Sequence, residues 1–99
     1  MVELRRRTSV SRSGEERESR SERRAKLRRV ARAIAERVLA RFVLLDEKVE
    51  GSEIVFIFVG RRSDGSCVGA AIACDLEDES CGEPIVEPLT EERCGALGL

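Results

Sequence analysis

Four cysteines are the residues of this chain with the widest choice of chemistry. They are Cys67, Cys74, Cys81 and Cys94. Their separations of seven, seven and thirteen positions include no C-x-x-C pair of the kind that shapes a zinc knuckle. Positions 67 and 74 differ by an odd number, so a regular strand would place these two thiols on opposite faces and they could not bond to each other. Disulfides, buried thiols and a site of four thiolates remain the alternatives, and we expect the cysteines to be structural, with no metal and no cofactor.

The chain contains no histidine. This absence excludes Ser-His and Cys-His nucleophile pairs, histidine general bases and every metal site that uses an imidazole. A glycine-rich phosphate loop is also missing, because Gly60 and Gly65 flank a predicted hairpin turn and do not begin a helix. We therefore expect that the protein is not an enzyme.

Acidic side chains are abundant in the second half of the chain. They include Asp46, Glu47, Glu50, Glu53, Asp64, Asp75, Glu77, Asp78 and Glu79. A helix followed by three antiparallel strands resembles, in topology only, the core of restriction-endonuclease-like and Holliday-junction-resolving nucleases, where two carboxylates and a lysine hold Mg²⁺. The third predicted strand here reads VGAAIAC where that family carries Glu-x-Lys. The resemblance implies a nuclease-like core with a degenerate active site, and the simpler interpretation is a solvated acidic surface.

Arginine is concentrated in the first third of the chain, where guanidinium groups could contact phosphates without reading a sequence. The predicted nucleic-acid-binding residues are Arg5, Arg6, Arg7, Arg20, Arg23, Arg24, Arg28 and Arg29. Glutamates interleaved with them weaken this interpretation. A basic helix that lies over an acidic domain, or that is exchanged between two subunits, would explain the same arginines without nucleic acid.

The net charge of −1 conceals two halves of opposite sign. Residues 1–41 contain 14 basic and 6 acidic side chains, and residues 42–99 contain 4 and 13. Three phenylalanines are the only aromatic residues, so a surface that stacks unpaired bases is hard to build. No run reaches the ~20 apolar residues of a membrane span, which predicts a cytoplasmic protein with no membrane contact. The preference for arginine over lysine would also suit a thermophile.

The stretch from Glu53 to Cys74 predicts the hairpin around which the fold is organised. An unbroken apolar run, IVFIFV, is followed by a polar turn that contains Asp64-Gly65 and then by a second apolar run. Gly51-Ser52 is a further two-residue turn signal. The sequence therefore predicts a meander of three strands, at residues 43–50, 53–60 and 67–75, although residues 43–49 could instead extend the preceding helix.

A long amphipathic helix is predicted before these strands. Ser19 and Glu22 have the spacing of a capping box, so the helix should begin near residue 20 and run for about 22 residues, to Arg41 or Phe42. Its predicted apolar stripe is Leu27, Val30, Ala31, Ile34, Val38 and Phe42. Residues 1–19 carry few large apolar side chains and are predicted to be a disordered basic arm, with a short edge strand as the alternative.

These observations predict an α+β fold in which the helix packs on a small antiparallel meander. The expected organisation is a disordered Arg/Ser/Glu-rich arm at residues 1–19 and one domain at residues 20–99. One helix cannot cover both faces of the apolar strand, so we expect a homo-oligomer. The predicted function is a non-enzymatic accessory or architectural module that binds nucleic acid through the arm and helix. The alternative is a protein-interaction subunit of a larger complex, homo- or hetero-oligomeric.

Overall fold

The computed structural model describes the main chain of residues 2–99 and the side chains of residues 20–99. The elements in chain order are α1 (Val2–Val38), β1 (Arg41–Glu50), β2 (Glu53–Arg61), β3 (Cys67–Asp75), β4 (Ser80–Cys81), β5 (Ile85–Pro88) and α2 (Glu91–Ala96). The chain is thus a helix packed on an antiparallel sheet, and the α+β prediction is confirmed.

The three predicted strands form a meander, with β2 paired to β1 on one side and to β3 on the other. Gly51, at a φ of 63°, and Gly65, at a φ of 87°, provide the left-handed backbone that the two turns require. Residues 43–49, which could have been helical, are part of β1.

The sheet has two further short strands, so the predicted count of three was too low. Both β4 and β5 pair antiparallel with β3, on the edge opposite β2. Cys74 pairs with Cys81, and Ala71 pairs with Ile85. These two pairings differ in register by one residue, so β4 and β5 form one edge strand that is interrupted at residues 82–84. From its acidic composition and its two prolines, the sequence predicts a loop for residues 76–88. Instead Pro88 is the last residue of the edge strand β5, where proline is tolerated, and Pro84 lies just before that strand.

The predicted helix boundaries need correction at both ends. The helix α1 has 37 residues and begins at Val2, so it includes the stretch that was predicted to be a disordered arm. It ends at Val38, and Phe42 belongs to β1. The side chains of residues 1–19 lie outside the described residues, and the division of the chain at residue 19 stays a prediction.

The main core lies between α1 and one face of the sheet. Alternate residues of β2 and β3 point to the helix and are fully or almost fully buried: Ile54, Phe56, Phe58, Val68, Ala70, Ile72 and Cys74. The helix contributes Leu27, Ala31 and Ala35, with Ile34 and Val38 partly buried. Val30, placed in the predicted stripe, is instead 39% exposed, and Ala35 was missed because alanine is a weak hydrophobic signal.

Small side chains set the distance between the helix and the sheet. Ala31 and Ala35 on α1 and Ala70 on β3 are all buried in the same cluster. Their lack of bulk allows the helix to lie close to the strands. On β2, a Cβ at Gly60 would overlap the main chain of Arg41 and Phe42, so only glycine fits where the chain enters β1.

Candidate functional site

A β-bulge in β1 decides which charged side chains meet the helix. The register with β2 shifts between Leu44 and Asp46. Before the bulge Phe42 and Leu44 pack against the core under α1, whereas after it Glu47 is the side chain that reaches the helix. The bulge thus places one carboxylate beneath a row of helix arginines.

Glu47 binds two of the predicted nucleic-acid-binding arginines. Arg24 donates from Nε to Oε1 at 2.8 Å, and Arg28 donates from Nη2 to the same oxygen at 2.9 Å and from Nε to Oε2. The Glu47 side chain is only 14% exposed. The hydrogen bond from Arg28, together with the weaker one from Arg24, holds the pKa of Glu47 below its ordinary value despite the opposing effect of burial. The same pairing raises the pKa of Arg28.

We expect Glu47→Gln to lower the free energy of unfolding by about 1 to 2 kcal/mol at neutral pH, because charge-assisted hydrogen bonds are removed. Because the pKa of Glu47 is lower in the folded chain than in the unfolded chain, the carboxylate stabilises the fold at pH values above the unfolded pKa of ~4.3. This stabilisation is lost as the pH falls through the folded-state pKa. Urea unfolding at pH 7 and at pH 3 should therefore show a difference between wild type and variant that shrinks at pH 3. The control is Glu50→Gln, at an exposed position of the same strand. A difference that is the same at both pH values would contradict this role of Glu47.

A second acidic residue, Glu79 in the turn between β3 and β4, also lies beside the helix. Lys26 Nζ lies 3.4 Å from Glu79 Oε2, and Arg23 Nε lies 3.7 Å from Oε1. Of the predicted nucleic-acid-binding arginines, Arg20 and Arg29 are exposed on α1. Arg5, Arg6 and Arg7 lie outside the residues whose side chains the structure describes.

The four cysteines form two disulfides. Cys67 of β3 bonds to Cys94 of α2, and Cys74 of β3 bonds to Cys81 of β4. Both therefore connect the segment after the meander to the last strand of the meander. In residues 20–99 no three cysteine, aspartate or glutamate side chains are grouped so that they could hold a metal ion.

The face of the sheet that points away from α1, here called the open face, is largely apolar. Its half-buried residues Val55 and Ile57 on β2 and Ala71 on β3 are flanked by Leu45, 46% exposed, and Ile85, 68% exposed. A groove of about 180 Å³ lies between these flanking side chains, over Ile57 and Ala71, and its lining is apolar except for Glu87 and Arg93. Large apolar side chains grouped at this exposure are typical of a contact surface.

Only one end of the open face is covered by the part of the chain that the structure describes. There Val59, Cys67 and Cys94 are buried together beneath α2, with Leu89 and Leu99 packed against them. Arg61 fixes this end by donating from Nε and Nη2 to the main-chain oxygen of Leu99, at 3.1 and 3.0 Å.

Sequence reasoning missed two parts of these surfaces. Glu47 was grouped with a general acidic surface, because regular alternation along β1 gives no sign of a bulge. Ile85 was assigned to a loop, although an isolated isoleucine-valine pair in an acidic segment could have suggested a short strand.

Comparison with known proteins gives no relationship for this chain: no family model, no curated protein and no solved structure matches it. None of the helices in the described part of the chain is long and apolar enough to cross a membrane.

Proposed function

We propose that the protein is a non-enzymatic protein-interaction subunit that assembles with a second copy of itself through the open face. The observation that carries this proposal is the exposure of Leu45 and Ile85 on either side of Ile57. An apolar groove in water is stabilised when another apolar surface covers it, by roughly 25 cal/mol per Å² removed from solvent.

The size of the open face allows a small contact. Four strands at ~4.8 Å spacing and nine residues at ~3.3 Å each give at most ~600 Å² for the whole sheet face, and α2 covers one end of it, so the contact would be smaller than the ~800 Å² that each partner contributes to a standard interface. Its charges suit a two-fold arrangement as well. Asp46 pairs with Ile57 and Lys48 with Val55, so both charged side chains lie on the open face, two residues apart. In an isologous pair, Asp46 of one copy can meet Lys48 of the other.

We expect sedimentation equilibrium at micromolar concentrations to give a dimer for the wild-type chain and a monomer for Ile85→Asp and for Leu45→Asp. A carboxylate introduced into a desolvated interface has no partner there and opposes association. Both positions are exposed, so the single chain should still fold.

Val30→Asp is the matched control, because Val30 is also an exposed apolar residue but lies on α1. It should leave the dimer intact. A wild-type chain that remains strictly monomeric up to millimolar concentration would exclude self-association. Equal loss of the dimer in Val30→Asp would place the interface elsewhere.

A second candidate function is nucleic-acid binding by the basic helix, which the exposure of Arg20, Arg29 and Arg32 favours. The pairing of Arg24 and Arg28 with Glu47 supports the opposite explanation, a basic helix neutralised by its own sheet. A labelled duplex titrated at about 50 mM salt, where ionic contacts are weakly screened, should bind if this candidate is correct. Absence of binding would remove it.

The two disulfides bear on where such a subunit would work. Disulfides persist in oxidising compartments and in the cytoplasm of hyperthermophiles. A cytoplasmic location, as predicted from the sequence, is therefore proposed together with a thermophilic host.

A further inference from the structure

A cleft of about 600 Å³ lies between α1 and the β1–β2 turn. Six of the side chains that line it define its chemistry, and we call it the arginine cleft: Arg20, Arg23, Arg24, Val49, Ser52 and Glu77. Three guanidinium groups and one carboxylate thus line the cleft, together with Ser21, Gly51 and Leu76. Glu47 and Glu79 offset part of the charge of Arg24 and Arg23, but within the lining itself basic side chains outnumber acidic ones, which favours an anion as ligand.

Arg24 is held in place by the fold but keeps donors for a ligand, and Arg23 has only a long ionic contact. Glu47 engages Arg24 through Nε at 2.8 Å, and a guanidinium has four further N–H donors on its terminal nitrogens. The contact of Arg23 with Glu79 is 3.7 Å, longer than a hydrogen bond. A second acceptor can therefore bind these groups without breaking the fold's own ion pairs.

We propose that the arginine cleft binds a phosphate group, with Arg20 and Arg23 as the principal ligands and Arg24 as a third. A planar guanidinium group can donate two parallel N–H bonds to a pair of phosphate oxygens. The volume is in the range of ligand sites, ~300 to 1,000 Å³, and exceeds what one phosphate needs. Val49, 48% exposed, offers an apolar contact for the sugar that carries the phosphate.

The backbone of a nucleic acid is the phosphate source that these features favour, so the inference rests on the second candidate function. The described residues offer no aromatic side chain in the cleft to stack a base, which leaves phosphate and sugar as the parts recognised. Glu77 opposes the phosphate charge and should limit the affinity.

The test is a titration of a fluorescently labelled 12-base-pair duplex and, separately, of inorganic pyrophosphate against the full chain at about 50 mM salt. The double variant Arg20→Gln/Arg23→Gln should weaken duplex binding by about 100-fold, because each arginine–phosphate hydrogen bond should contribute about tenfold or more to the affinity. The slope of log affinity against log salt should decrease by up to ~0.9, because one phosphate is no longer neutralised. Glu77→Gln should strengthen binding, a gain that unfolding cannot imitate.

Arg37→Gln/Arg41→Gln is the matched control, because it removes the same charge from exposed positions that lie outside the cleft and outside the predicted binding residues. It should weaken binding by less than about threefold through the screened long-range field. Pyrophosphate that binds and competes with the duplex identifies the phosphate itself as the recognised group. Equal reductions in affinity in the two double variants would overturn the cleft while leaving nucleic-acid binding in place. If the wild-type chain binds neither probe, both the arginine cleft and nucleic-acid binding are overturned. The dimer proposal is tested separately, because sedimentation of the open-face variants does not depend on either titration.

Discussion

Phe56→Ala should lower the free energy of unfolding by about 3 to 5 kcal/mol, the largest effect we expect from a single substitution. The Phe56 side chain is fully buried on the face of β2 that packs beneath α1, and Ile72 lies beside it on β3. Removing the ring loses the free energy gained when the ring is transferred from water into the core. It also leaves a cavity that the neighbouring strands cannot fill. Small domains are stabilised by only about 5 to 15 kcal/mol, so this is a large share of the total.

Phe42→Ala is the matched control for this prediction. The substitution removes the same atoms, but Phe42 is only partly buried at the margin of the core, where its ring meets that of Phe58 edge to face at 5.4 Å. Its cost should therefore be clearly smaller. Chemical denaturation of both variants measures the difference, and equal costs would mean that the core is not centred on β2.

Removal of the Cys67–Cys94 disulfide should cost about 3.5 kcal/mol, because the bond closes the longer of the two loops and so restricts the unfolded chain more. The sequence separation is 27 residues, against 7 for the Cys74–Cys81 bond. On the same chain-entropy argument the shorter loop contributes about 2.5 kcal/mol. The measurement is urea unfolding of Cys67→Ala/Cys94→Ala beside Cys74→Ala/Cys81→Ala as the matched control.

The longer disulfide has a second role that the same variants can report. It joins α2 to β3 at the covered end of the open face, where Cys94 is fully buried. In Cys67→Ala/Cys94→Ala, the amides of α2 should exchange with solvent faster than those of β2, because the segment is then held mainly by the Arg61 bonds and the packing of Leu89 and Leu99. A greater loss of stability from Cys74→Ala/Cys81→Ala would contradict the argument from loop length.

The meander illustrates what local pattern can predict. The run IVFIFV, the glycines of the two turns and the apolar strand after them specify β2, β3 and their pairing, because turn chemistry and strand length are local properties. Glycine at positions 51 and 65 was correctly expected to occupy turns. The helix was predicted from the same kind of local signal, but its ends were not, because the capping-box spacing at Ser19 and Glu22 does not mark the start of α1.

The composition of the chain determined what chemistry is absent and how charge is divided along it. No histidine, few aromatics and two halves of opposite sign follow from the sequence alone. The tertiary structure decided how those parts are used. The bulge at Leu45 turns Glu47 toward Arg24 and Arg28. The segment after β3 folds back beside that strand, and this places Cys81 next to Cys74 and Cys94 next to Cys67. Both depend on the pairing register between segments that are distant in sequence. Adding or removing one residue in a strand moves the following side chains to the other face of the sheet, and no local spacing encodes that register.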